Sequence, residues 1–201
     1  MTNQRLASKL ARAAFDHWQA GRLVDSAALY AEALPLADPE HYGLPEYHSE
    51  YACVLEALGR AADALVQLER AAALQRLQDG SDTALATVLA RYFLADHLVR
   101  HNEPERALAG IASSLASPPG RIEWMLRSVE AEAFAALERP SQAQSAAARA
   151  LKTSPSEAKR QELAQRFAAW GSTVARSPNP SIERTSSGKL RLPPAAAYVE
   201  R

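Results

Sequence analysis

Four short turns recur along this chain at nearly constant spacing, and they limit its fold more than any other feature. Gly21, Gly59, Asn102 and Glu138 each stand where one stretch of helical periodicity stops and another starts. The intervals are 38, 43 and 36 residues (59−21, 102−59 and 138−102). That is the length of two packed helices with their connections, so the chain is expected to repeat a helix pair. The segments that follow the turns, GRLVDSAALYAEALPL, GRAADALVQLERAAAL, NEPERALAGIASSLAS and ERPSQAQSAAARALKT, share one layout. A small residue comes first, at Ser26, Ala64, Ala107 and Ala143. A second small residue with its neighbour follows at Ala33-Leu34, Ala71-Ala72, Ser114-Leu115 and Ala150-Leu151. Antiparallel helices cross closely only where side chains are short, so these positions are expected at the contact.

Upstream of each turn lies a first helix whose inward positions are Leu10, Ala13, Ala14 and His17; Tyr51, Ala52 and Leu55; Leu94, Ala95 and Leu98; and Ala131 with Phe134. The periodicity predicts helices over about 4–20, 24–37, 44–58, 61–78, 83–101, 104–116, 121–138, 141–152 and 156–175. Ser154, Pro155 and Glu157 read as a capping box that would open the last helix at Pro155. In that helix Leu163, Phe167, Trp170 and Val174 form one apolar stripe, as a cap over the end of an open array requires. From Ser177 onward proline, serine and glycine replace periodicity, so 177–201 is expected to be a disordered tail after a helical domain over 1–176.

Composition agrees with packed helices. Hydrophobic residues make up 47% but aromatics only 6%, because alanine carries the apolar content. Basic and acidic residues number 23 each, and the zero net charge argues against nucleic acid as a general partner. Charged residues interrupt every apolar run, so no membrane span is expected. A lone cysteine, Cys53, and a start without an apolar signal core predict a cytoplasmic protein.

These helix pairs resemble tetratricopeptide (TPR) repeats of the small bacterial type, over roughly residues 6–155. The resemblance implies an all-α, right-handed superhelical solenoid of about four repeats (7–40, 45–78, 83–117 and 121–154) plus a capping helix, 156–175. It further implies a concave groove lined by the first helices. The fourth copy departs from the pattern, with Glu138 and Pro140 in place of glycine and an aromatic. In the implied register Phe15, Trp18, Gln19, Cys53, Glu56, Tyr92, Asp96, Val99 and Glu132 face the groove. Some relatives clamp a peptide carboxylate with lysine, arginine and asparagine. Here those positions carry Ala11, Phe15, Cys53, Leu89 and Phe93, which lack that chemistry.

Bond chemistry finds little support. The chain has no G-x-S-x-G, G-x-x-x-x-G-K-[ST], G-x-G-x-x-G or H-E-x-x-H. His97 and His101 have the spacing of a metal-binding pair, but two ligands do not make a site. Placement near a helix C-terminus, where the macrodipole favours imidazolium, is the preferred reading of the pair. Cys53 reads as a packing cysteine. Glu46, Glu50, Glu56, Asp96 and Glu132 fall on first helices and would give the groove an acidic, aromatic-bearing surface. The sequence therefore predicts a non-enzymatic scaffold without metal or cofactor, holding a protein or peptide with basic and apolar residues. Self-association into a homo-oligomer, an enzyme built on Asp16, His17 or the histidine pair, and an RNA-binding helical repeat are the alternatives.

Overall fold

The computed structural model describes residues 2–172. The expected tail over 177–201, the domain limit at 176 and Val174 lie outside the described residues. Nine α-helices follow one another, with no strand among the described residues. They are α1 (Gln4–Gln19), α2 (Leu23–Ala33), α3 (Leu44–Ala57), α4 (Ala61–Asp79), α5 (Leu85–Arg100), α6 (Pro104–Ala116), α7 (Glu123–Ala136), α8 (Pro140–Thr153) and α9 (Glu157–Ser172).

The four turns singled out by their spacing are one structure repeated. Gly21, Gly59, Asn102 and Glu138 all adopt left-handed backbone, with φ of 77°, 75°, 63° and 56°. At each, the next residue's N–H reaches back five residues: Arg22 to His17, Arg60 to Leu55, Glu103 to Leu98 and Arg139 to Phe134, at 2.8–2.9 Å. This is the Schellman closure of a helix, which satisfies a carbonyl that the last turn leaves free. The same four residues then accept the first N–H of the following helix, from Ser26, Ala64, Ala107 and Ala143. One residue thus ends the first helix and starts the second, which forces the two into close antiparallel contact.

Small residues make that contact possible. Ser26, Ala64, Ala107 and Ala143 are at most 3% exposed, and Ala33, Ala71, Ser114 and Ala150 are at most 1% exposed. At the first crossing the Ser26 hydroxyl donates to the Ala14 carbonyl at 2.8 Å. The most extensive contacts lie within the pairs α1/α2, α3/α4, α5/α6 and α7/α8, and each pair packs on the next in chain order. Two main core clusters result, one around Tyr30, Val54 and Leu55 and one around Val88, Ile111, Ile122 and Leu126. Phe93 and Leu94 pack against both. Burying each such large side chain contributes about 1.5–3 kcal/mol, gained within its own pair and against the next.

Two expectations need correction. The helix predicted over 24–37 stops at Ala33 and tightens into a 3-10 turn, Leu34–Leu36. Pro35 sits in that turn, where it has no N–H to donate and its ring would crowd the carbonyl four residues back in a continued α-helix. The proposed capping box is also displaced. The Ser154 hydroxyl donates back to the Leu151 carbonyl at the end of α8, and Ser156 caps α9 by accepting the Lys159 N–H at 3.1 Å. Serine occurs at both positions, and only the side chain two residues later faces the new helix. Helix α9 does cover the last pair: Leu163 is 1% exposed, while Phe167 and Trp170 pack half-buried against Ala131, Ala146 and Ala147.

Candidate functional site

Because the four turns are equivalent, residues at equal distance before them hold equivalent places on α1, α3, α5 and α7. Six residues before each turn stand Phe15, Cys53, Asp96 and Glu132; three before stand Trp18, Glu56, Val99 and Ala135. The chemistry of these positions changes along the array. At α1 the pair Phe15 and Trp18 meets edge to face, with ring centroids 5.7 Å apart. Farther on, Glu56, Asp96 and Glu132 bring charge to the equivalent positions.

The charged part is a chain of ion pairs that ties α3, α5, α7 and α9 together. Arg100 Nη1 donates to Glu56 Oε2 at 2.6 Å, and Arg100 Nε donates to Asp96 Oδ2 at 3.0 Å. Asp96 Oδ1 lies 4.0 Å from Arg166 on the capping helix. Arg166 in turn grips Glu132 in fork geometry, Nη2 to Oε2 at 2.6 Å and Nε to Oε1. The expected acidic face is therefore largely neutralised: three carboxylates meet two guanidiniums, a surplus of one negative charge. Arg166 comes from α9, so the helix that covers the array's end also contributes to this face.

The same carboxylate meets both histidines of α5. Glu56 Oε1 lies 3.3 Å from His101 Nε2 and in closer contact with His97 Nδ1. The two rings tilt together at 4.4 Å between centroids. His97 lies in the last turn of α5 and His101 caps it, as their sequence position suggests. For His97, however, burial opposes the macrodipole. Its side chain is 2% exposed, and burial lowers its pKa despite Glu56, with His101 acting in the same direction as burial. Burial would raise the Glu56 pKa, but Arg100 and the two imidazoles outweigh it and hold the carboxyl below its usual range.

Of the remaining groove candidates, Gln19 is exposed at the end of α1, while Cys53, Tyr92 and Val99 are half-buried. Tyr92 and Val99 pack on the second core cluster. Burial, with Glu50 and Glu56 nearby, pushes the Cys53 thiol up to about 12, which keeps it protonated and a poor nucleophile. Burial also raises Tyr92, and raises Glu132 against the pull of Arg166. Glu50 is half-buried: it accepts a 2.8 Å hydrogen bond from the hydroxyl of Tyr30, a member of the first cluster, and burial raises its pKa to about 7.

Sequence reasoning thus brings Glu56, Asp96 and Glu132 to one face but misses Arg100, Arg166, His97 and His101 as their partners. Arg100 was legible as the i+4 neighbour of Asp96. The Glu56 contacts, 41 and 45 residues away in sequence (97−56 and 101−56), were not. A surface hollow lies beside α2, lined by Val24, Ala27, Ala28, Ala31, Tyr51, Leu58 and Arg60. It is shallow and mostly apolar, and gathers no set of catalytic groups.

No helix among the described residues is long and apolar enough to cross a membrane. No family model matches the chain. No curated protein matches it. Among solved structures the chain is similar to BtubC (BKLC) from P. vanneervenii. The TM-score is 0.65 at 16% identity, covering 90% of this chain and 69% of that one. At that identity the likeness extends to the all-helical fold alone.

Proposed function

We propose that this chain is a TPR-like solenoid that holds a segment of another protein along the face built from α1, α3, α5 and α7. One observation carries the proposal: four identical turn closures repeat the same side-chain positions at regular intervals along one face. A surface of this kind suits an extended or helical segment, which presents its own side chains periodically. The face is graded, with the Phe15 and Trp18 pair at one end and the ion-pair chain, one negative charge in surplus, at the other. The complementary segment carries an apolar anchor and, farther along, basic residues. No cofactor is needed for such a role.

The test is a photo-crosslinking residue placed either at Gln19, exposed beside the aromatic pair, or at Ala112, exposed on the second helix α6. A discrete adduct from position 19 that is missing from position 112, and that weakens as salt rises, is the expected result. Equal labelling from both positions, or labelling from 112 alone, would move binding off this face and overturn the proposal.

A further inference from the structure

Beyond a binding face, we propose that Glu56, His97 and His101 form a site for a divalent transition metal ion of the zinc class. The three residues come from two adjacent helix pairs, Glu56 from the end of α3 and the histidines from the end of α5. Each offers one ligand atom, Glu56 Oε1, His97 Nδ1 and His101 Nε2, and all three atoms lie within 4.8 Å of one another. Zinc bonds to nitrogen and oxygen at about 2.0–2.2 Å, so tetrahedral ligand atoms stand roughly 3.3–3.6 Å apart. The separation of Glu56 Oε1 and His101 Nε2, 3.3 Å, already fits. His97 Nδ1 and Glu56 Oε1 have only to separate as an ion enters between them.

A second observation singles these atoms out. Glu56 Oε1 and His97 Nδ1 are both buried and in close contact without hydrogen-bond geometry, and beyond the two histidines and the carboxylate no protein group reaches them. Buried polar atoms left in this way cost free energy, and a cation held by both lone pairs removes the cost. The surrounding groups suit the role. Arg100 holds Glu56 Oε2 and so fixes the carboxylate with Oε1 turned to the histidines. Asp96, paired to the same arginine, offsets its charge. A two-histidine, one-carboxylate set leaves at least one position open to water. An ion here would staple α3 to α5 and so tie the second helix pair to the third.

Zinc and cobalt ions, titrated into the full chain, test the proposal. One Zn2+ per chain should bind by calorimetry, and Co2+ should give a visible d–d spectrum. Zn2+ should raise the melting temperature by several degrees, whereas Mg2+ should not. His101 is 37% exposed, so His101→Ala should fold normally by circular dichroism while weakening Zn2+ at least about tenfold. His41→Ala, remote in the α2–α3 connection, should leave binding unchanged. A chain that takes no Zn2+, or one whose affinity survives both His101→Ala and Glu56→Gln, overturns the assignment. Loss of binding in His41→Ala would do the same, by placing the ion elsewhere.

Discussion

Glu138→Gly should stabilise the protein, even though it removes a side chain from a folded structure. Glu138 occupies the turn position that glycine holds in the first two helix pairs, and its φ is 56°. A residue with a Cβ in left-handed backbone gives up about 1–2 kcal/mol relative to right-handed helix. The carboxylate also stands just past the C-terminus of α7, where the helix dipole disfavours an anion by about 0.3–1 kcal/mol. Against these gains, glycine loses more freedom on folding, about 0.4–1 kcal/mol. The net effect is a stabilisation of about 1 kcal/mol, which in a chain of this size raises the melting temperature by roughly 2–4 °C. Asn102→Gly should give only a few tenths of a kcal/mol, because asparagine tolerates this backbone better, and Gly59→Ala should cost about 1 kcal/mol. Thermal and urea unfolding followed by circular dichroism would read all three, with the urea slope unchanged. If Glu138→Gly leaves the midpoint where it was or lowers it, while Gly59→Ala behaves as expected, the fourth turn is not equivalent to the others.

At the capping helix, Leu163→Ala should cost about 2–4 kcal/mol and Trp170→Ala less, about 1–2 kcal/mol, since Leu163 is 1% exposed and Trp170 half-buried; the reverse order on melting would mean that α9 seats through its far end. Glu50, raised to about 7 from 4.5, binds its proton more tightly in the folded chain, so its contribution to stability is full below pH 4.5 and is lost as pH rises through 7. Glu50→Gln keeps an acceptor for the Tyr30 hydroxyl and should remove that loss, giving a variant more stable than the parent at pH 8 but not at pH 4; a constant difference across this range would place the titration elsewhere.

The fold was legible because its determinants are local and repeated. Left-handed turns need glycine or a tolerant residue, and helix crossings need small residues, so both leave marks at fixed offsets that one copy helps to read in the next. The errors came where a mark was single. Pro35 ends α2 early without any counterpart in the other copies, and two nearby serines, Ser154 and Ser156, compete for one cap that only geometry can assign.

The site was half legible, for a reason that concerns reach. A period assigns a residue to a face, and it grouped Glu56, Asp96 and Glu132, which share one chain of ion pairs. It does not assign the partners of a long side chain, because an arginine stem spans the distance between neighbouring helices. Arg100 crosses from α5 to α3, and Arg166 reaches Asp96 and Glu132 from a helix that belongs to no repeat at all. The acidic face expected from counting carboxylates thus becomes a mostly balanced chain. The residual signal on it is one negative charge and, at its centre, a buried carboxylate oxygen and imidazole nitrogen that meet without hydrogen-bond geometry. Buried polar atoms outside hydrogen-bond geometry invite a ligand more strongly than well-paired charges do, since binding there displaces no formed hydrogen bond. That places the chemically distinctive point of the face at Glu56 and His97, between the second and third helix pairs, and not at the more numerous acids that first drew attention.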